Sequence, residues 1–189
     1  SLAAWIAGIP YRFVLITGLG YTFQSNVSWL KNLLSALYRI ALSNVHKVFF
    51  QNPDDESLFF KLGIIKFSDK KTIVVNGSGV DLDIFKLVPL PQVTQFLLIA
   101  RLLGDKGVRE YFKAASIVRK KYPEALFALV GWIDENPNAI TEKELQHFIN
   151  AGDVKFYGRM DDVKPAITQS SVYVLPSYSE GTPRTVLEA

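Results

Sequence analysis

Short runs of β-branched, aromatic and aliphatic residues alternate along this chain with longer stretches whose apolar positions recur every three or four residues. Residues 11–17 form the first apolar run and predict a buried strand. From 25 to 44, Leu30, Leu33, Leu34, Leu37, Tyr38 and Ala41 recur at helical spacing, which predicts a long helix with that face against a sheet. Residues 47–51 predict a second strand. Asn52 then caps a short helix, with Pro53 suited to its first turn. A third strand is expected over 71–76.

The second half repeats this alternation. Strands are expected at 94–100, 126–130, 154–157 and 172–175, and helices at 108–121, 142–150 and from Asp161-Asp162 to about Gln169. Phe112, Ala115 and Val118 line one face of the helix at 108–121. Strands that alternate with helices need crossover connections, so the fold class is α/β with parallel sheets. Residues 86–92 hold two prolines and read as a linker between lobes spanning 1–85 and 93–189.

Bulk composition narrows the function classes. A hydrophobic content of 49% over 189 residues fills a real core and argues against disorder. The net charge of +3 is too small to suggest nucleic acid as a partner without a clustered basic face. With no cysteine, disulfides and thiolate metal sites are excluded, and two histidines, His46 and His147, make a poor metal set. No apolar run reaches the length of a membrane span. The chain opens on Ser1 without a signal-peptide pattern and ends at Ala189 inside an expected helix, so a fragment of a larger protein is expected.

The candidate chemistry gathers in the second half. Residues 179–189 read S-E-G-T-P-R-T-V-L-E-A, with Glu180 and Glu188 separated by seven residues. Thr182 suits an N-cap and Pro183 a first helical position, which puts Glu188 inside a helix and Glu180 ahead of it. Such a helix start offers unpaired N–H groups to an anion, and each carboxylate can accept two hydrogen bonds from a diol. A ligand ordered hydroxyl, anion, hydroxyl fits, as in a nucleotide sugar; a loop carboxylate and a solvated helix carboxylate are the plain alternative.

Ligands of open parallel sheets sit at the carboxyl ends of the strands. Arg101 and Lys106 flank a glycine turn there and could clamp a diphosphate, or be a solvated basic loop. Gly158 would let backbone approach a flat base, and Arg159 could reach phosphate or acceptor or remain on the surface. Gly18-Leu19-Gly20 lacks the third glycine of a dinucleotide fingerprint and reads as a tight turn exposing Tyr21 and Phe23. Asp81-Leu82-Asp83 matches a metal-holding D-x-D pattern but precedes the linker, so no metal site is assigned. The two histidines read as structural or solvated, and no Ser/His/Asp arrangement supports nucleophilic hydrolysis.

These stretches together carry a family likeness. Asn76-Gly77-Ser78-Gly79-Val80-Asp81 with Phe85, Ala100-Arg101 with Lys106-Gly107, Gly158-Arg159 and the E-x7-E from Glu180 to Glu188 resemble the retaining, two-Rossmann-domain (GT-B) glycosyltransferases of group 1, family 4. Residues 17–23 and 50–55 look like the subgroup that builds bacterial surface polysaccharides on a lipid carrier. The resemblance implies two Rossmann-like parallel-sheet lobes, both incomplete: the end of an acceptor lobe over 1–85 and a truncated donor lobe over 93–189. It implies that Arg101 and Lys106 bind the donor diphosphate, Gly158 and Arg159 line the donor site, and Glu188 holds the ribose. Glu180 would face the transferred sugar, with Gly181 and Thr182 offering N–H groups. The implied reaction is sugar transfer with retention from a nucleotide-diphosphate donor, most simply a UDP-sugar, to a lipid-linked or glycan acceptor. It needs no metal or other cofactor, and takes place in the cytoplasm or peripherally at the inner face of the membrane. Thr182-Pro183-Arg184 replaces the bulky residue usual after the motif's glycine, which bears on the fit of the donor sugar. A nucleotide-sugar binding module and a sugar-nucleotide epimerase remain as alternatives.

Overall fold

The computed structural model describes residues 2–19 and 28–189; the turn expected through Gly20, the residues Tyr21 and Phe23, and the start of the first long helix lie outside them. The chain divides into two compact units. One comprises Ser1–Gly79 with Glu180–Pro183, the other Val80–Ser179 with Arg184–Ala189.

In the first unit a short helix α1 (Leu2–Ile6) precedes strand β1 (Phe13–Ile16), helix α2 (Ser28–Ser43), strand β2 (Lys47–Phe50), helix α3 (Pro53–Lys61), a 3-10 turn at Phe67–Asp69 and strand β3 (Thr72–Val74). The strands are parallel in the order β1-β2-β3. Val48, Phe50 and Phe59 are fully buried at its centre, and Phe59 meets Phe50 edge-to-face at 5.1 Å between ring centroids. Helix α3 begins as the sequence predicts: Asn52 caps it by accepting a hydrogen bond from the N–H of Asp55.

Two expectations for this unit need correction. Leu33 and Leu37, placed on the buried face of α2, are 49% and 51% exposed; Leu34 and Tyr38 face the core as expected, together with Leu42. The helix is apolar on two stripes, so periodicity reports the helix without saying which stripe packs. Strand β1 is buried on one side only. Val14 and Ile16 pack on the core, while Phe13 and Leu15, on the opposite side of the pleat, are exposed.

The second unit contains strand β4 (Gln95–Ile99), a 3-10 turn at Gly104–Lys106, helix α4 (Val108–Lys121), strand β5 (Leu126–Val130), helix α5 (Glu142–Asn150), strand β6 (Lys155–Phe156), helix α6 (Lys164–Thr168), strand β7 (Val172–Tyr173) and helix α7 (Arg184–Glu188). Its sheet is parallel throughout, in the order β6-β5-β4-β7. One face packs on α4 and α5 through Leu98, Leu129, Phe112, Ala115 and Leu145; the other packs on α6 through Leu97, Ala128, Val130 and Ala166. Strands β4, β5 and β6 are laid down outward in one direction, and the chain then returns to place β7 on the far side of β4. That reversal between β4 and β7 is a topological switch point, where open parallel sheets leave a crevice beyond their carboxyl ends.

Tyr111 ties the two central strands together. Its buried hydroxyl lies 2.8 Å from the carbonyl oxygen of Ala128 and 3.0 Å from that of Phe96, and burial pushes its proton affinity up. It can donate to only one of them at a time, but either way the phenol stays neutral and bolts α4 to the sheet.

Candidate functional site at the second sheet's carboxyl edge

The loops that leave the carboxyl ends of β4, β5, β6 and β7 carry most of the candidate side chains. Ile99 ends β4, and Arg101 follows two residues on. Its Nη1 donates to Asp134 Oδ2 at 3.1 Å, and the arginine side chain is half exposed. Asp134 is itself set by a tight turn, its Oδ1 accepting from the N–H of Asn136 at 2.9 Å. The chain then turns through the 3-10 segment to Lys106, whose N–H donates to the carbonyl of Leu103 at 3.2 Å.

Gly107 joins this loop to α4. It sits in the left-handed region at φ +69°, and a Cβ there would fall 2.2 Å from the carbonyl oxygen of Pro176, which follows β7. The N–H of Tyr178 donates to the carbonyl of Asp105 at 3.0 Å. The two loops flanking the switch point are therefore pressed together, and only glycine fits at position 107.

On the other side of β4, the N–H of Gly131 donates to the carbonyl of Gly158 at 2.9 Å and the N–H of Leu102 to that of Trp132. Arg159 lays its guanidinium 5.2 Å from the ring centroid of Trp132, a cation–π distance. Gly158 has open space where a side chain would project, as approach of a flat ligand requires. The fold thus brings Arg101, Lys106, Gly158 and Arg159 to one edge of one sheet, with three cations among them. The partners Asp134 and Trp132 were not visible in the sequence, since neither stands in a recognisable spacing with the arginine it meets.

Glu188 lies in the same unit on α7. This helix is held to β7 by the Tyr173 hydroxyl, 2.6 Å from Thr185 Oγ1. Arg184 Nε lies 3.0 Å from Glu188 Oε1, and the glutamate side chain is nearly buried at 10% exposure. It lines a hollow of about 380 Å³ whose other walls are the 82–91 stretch, α6 and the end of α7; Arg101, Lys106 and Arg159 are not among its lining residues. Asp81, from the D-x-D pattern, turns its carboxylate onto its own backbone, accepting from the N–H groups of Asp83 and Ile84.

Glu180, Gly181 and Thr182 pack within the first unit, beyond the carboxyl ends of its strands. The Asn52 amide donates to the carbonyl of Glu180 at 3.0 Å. The Thr182 hydroxyl donates to the carbonyl of Gln51 at 3.2 Å. A Cβ on Gly181 would lie 2.3 Å from the carbonyl oxygen of Thr17 and 2.7 Å from Gln51 Oε1. This corrects the local expectation for the motif: α7 begins at Arg184, and Thr182 gives its hydroxyl to β2's end and does not cap the helix.

A family model described as glycosyl transferases group 1 matches residues 81–189. Over its whole length the chain is 32% identical to the N,N'-diacetylbacillosaminyl-diphospho-undecaprenol alpha-1,3-N-acetylgalactosaminyltransferase of Campylobacter jejuni, of which it covers 52%. It is 33% identical over 66% of its length to an uncharacterized glycosyltransferase of Haemophilus influenzae, covering 34% of that protein. The chain therefore spans about half, or less, of the curated relatives it matches. Among solved structures, Anabaena Alr3699/HepE in complex with UDP superposes over 100% of this chain and 52% of its own with a TM-score of 0.73 at 18% identity. The pneumococcal O-GlcNAc transferase GtfA, in complex with UDP and GlcNAc, covers 95% of this chain and 35% of its own at TM-score 0.69 and 18% identity.

Proposed function

The chain belongs to the glycosyl transferases group 1 family and carries part of the GT-B fold, and from that premise we propose that the full-length protein transfers a sugar from a nucleotide-diphosphate donor to a lipid-linked acceptor. The observation that carries this reading is the row of cations, Arg101, Lys106 and Arg159, at the carboxyl edge of the sheet that the family model covers. As the bond from the anomeric carbon to the leaving diphosphate breaks, negative charge gathers on the diphosphate oxygens. Arg101 and Lys106 stabilise that charge where it forms, and Arg159 supports them from the β6 side. Arg101 is already oriented by Asp134 and keeps further N–H donors to offer.

The transferred sugar is an N-acetylhexosamine and the acceptor a polyprenyl-diphosphate sugar, by likeness to the C. jejuni relative, and the donor's nucleotide is UDP, which the HepE and GtfA structures hold. The E-x7-E likeness to the family, and not the hollow that Glu188 lines, is what assigns the ribose hydroxyls to Glu188 and the transferred sugar to Glu180, with the N–H groups of Gly181 and Thr182 nearby in sequence. An acceptor hydroxyl attacks the anomeric carbon on the face the leaving group departs from. The new glycosidic bond forms as the old one breaks, and the acceptor's proton passes to the departing diphosphate, so configuration is retained and no metal is required. The protein serves surface polysaccharide or glycan assembly at the inner face of the cytoplasmic membrane. Among the described residues no helix is long and apolar enough to cross a membrane, so contact with the lipid carrier is peripheral in this reading.

The test is direct. Full-length protein, UDP-N-acetylgalactosamine and a synthetic undecaprenyl-diphosphate monosaccharide are expected to yield a disaccharide with an α linkage by mass spectrometry and NMR. UDP should be released in equal amount. Epimerised donor in the absence of acceptor, or donor binding without transfer to any polyprenyl-linked acceptor, would overturn it.

A further inference from the structure

Asn52 does two jobs with one amide. Its Oδ1 accepts from the N–H of Asp55 at 2.7 Å and so caps α3. With the oxygen engaged there, the amide nitrogen is turned toward the carbonyl of Glu180 and donates to it at 3.0 Å. A flipped amide would set oxygen against the Glu180 carbonyl and an NH₂ against the Asp55 N–H, so both contacts fix one orientation. The neighbouring Gln51 holds the next turn of the same loop. Its carbonyl accepts from the Thr182 hydroxyl at 3.2 Å, and its side-chain Oε1 lies 3.5 Å from the N–H of Thr182. Between these two grips sits Gly181, seated so closely on Thr17 and Gln51 that no side chain could be added.

The backbone on both sides of Gly181 is thus anchored to the carboxyl ends of β1 and β2. We propose that Asn52 is a positioning residue for sugar transfer: it clamps the Glu180 backbone and so fixes where the Glu180 carboxylate points. The proposal rests on the reading above that Glu180 faces the transferred sugar. It assigns Asn52 a role beyond capping, and it makes the Gln51-Asn52 pair, rather than the helix start at Arg184, the feature that sets the loop.

Asn52→Ser separates the two jobs, because serine caps a helix nearly as well as asparagine but has no second donor to reach Glu180. In the full-length protein, two readouts are taken: amide exchange at Thr182, whose N–H faces Gln51 Oε1, and turnover of UDP-N-acetylgalactosamine measured as UDP release. Exchange at the Thr182 N–H is expected to quicken by about tenfold as the loop loosens, with exchange in α3 unchanged. Turnover should fall by a similar factor with KM held. Asn52→Ala, which also removes the cap, should add a lower melting temperature.

Unchanged exchange at Thr182 in Asn52→Ser overturns the clamp, and faster exchange with full turnover overturns its part in transfer. Glu180→Gln is run in parallel. Full turnover in that variant would remove the role given to Glu180 and this proposal with it. That failure is told apart from failure of the clamp because exchange reads the clamp without reference to chemistry.

Discussion

Lys106 and Arg101 differ in what each can do for a diphosphate. Arg101 presents a planar fork already leaning on Asp134, so part of its ordering cost is met before ligand arrives. Lys106 is a point charge at the end of a 3-10 turn that Gly107 and Pro176 hold against the β7 loop. A point charge held where the leaving oxygens gather charge is worth most in the transition state. In the full-length protein, Lys106→Ala is expected to lower kcat by about 10²–10³, with a smaller effect on donor KM, as removal of one transition-state donor does. A raised KM at constant kcat would mean that the lysine only binds. The fold should survive the change, because the turn is set by backbone contacts and by Gly107.

At the scale of elements, α4 and α5 are joined by a charged pair that the sheet does not share. Arg109 Nε donates to Glu144 Oε1 at 2.7 Å and its Nη2 to Oε2 at 3.2 Å. Glu144 also closes a capping box with Thr141, accepting from its N–H at 2.8 Å while its own N–H donates to the threonine hydroxyl. The Arg109 hydrogen bond first, then the Thr141 N–H, holds the Glu144 carboxyl down at about 2, below its ordinary 4.5. A depressed carboxyl contributes its stability in full above the unfolded value and loses it as pH falls from about 4.5 toward about 2. Both side chains are more than a third exposed, so solvent screening limits the contribution to about 1 kcal/mol. Denaturant unfolding of the full-length protein should show that loss between those pH values, and Glu144→Gln should flatten it; equal slopes for the two proteins would remove the pair from the account.

The elements here were readable to the residue at 108–121, 126–130 and 142–150, where a single apolar stripe, a short apolar run ended by Gly131 and a helical period each leave one solution. Legibility failed where the local pattern had two. Helix α2 has two apolar stripes, and the start of α7 has a threonine equally able to cap a helix or to reach another chain segment. For the same reason the cations of the sheet edge could be picked out from strand ends alone, while Asp134, Trp132 and the grip of Gln51 and Asn52 on 180–182 could not. Those contacts join residues between 27 and 131 positions apart, and no local period encodes them.

At the scale of the whole chain, charge is distributed unevenly. The first 53 residues contain no aspartate or glutamate and four cations, Arg12, Lys31, Arg39 and Lys47. Within that stretch α2 turns Trp29, Leu33, Leu37 and Ile40 outward, with Trp29 at 68% exposure and Ile40 at 56%. These positions are spaced by four, four and three, one stripe of a helix, and the opposite stripe of Leu34, Tyr38 and Leu42 holds the core. An apolar stripe bearing an aromatic residue, in a stretch of sequence without carboxylates, suits a bilayer surface, where the acceptor's polyprenyl chain resides in the function proposed above. The predicted outcome is co-sedimentation of the full-length protein with vesicles containing anionic phospholipid, weakening with salt and absent from purely zwitterionic vesicles. Replacing both Trp29 and Leu33 by serine should cut binding at least tenfold, since burying two such side chains is worth roughly 3–6 kcal/mol in full and a fraction of that at an interface. The melting temperature of the double variant is measured beside binding. Binding that survives the double replacement would place the lipid contact elsewhere, and binding lost together with the melting transition would return α2's outer stripe to the protein's own packing.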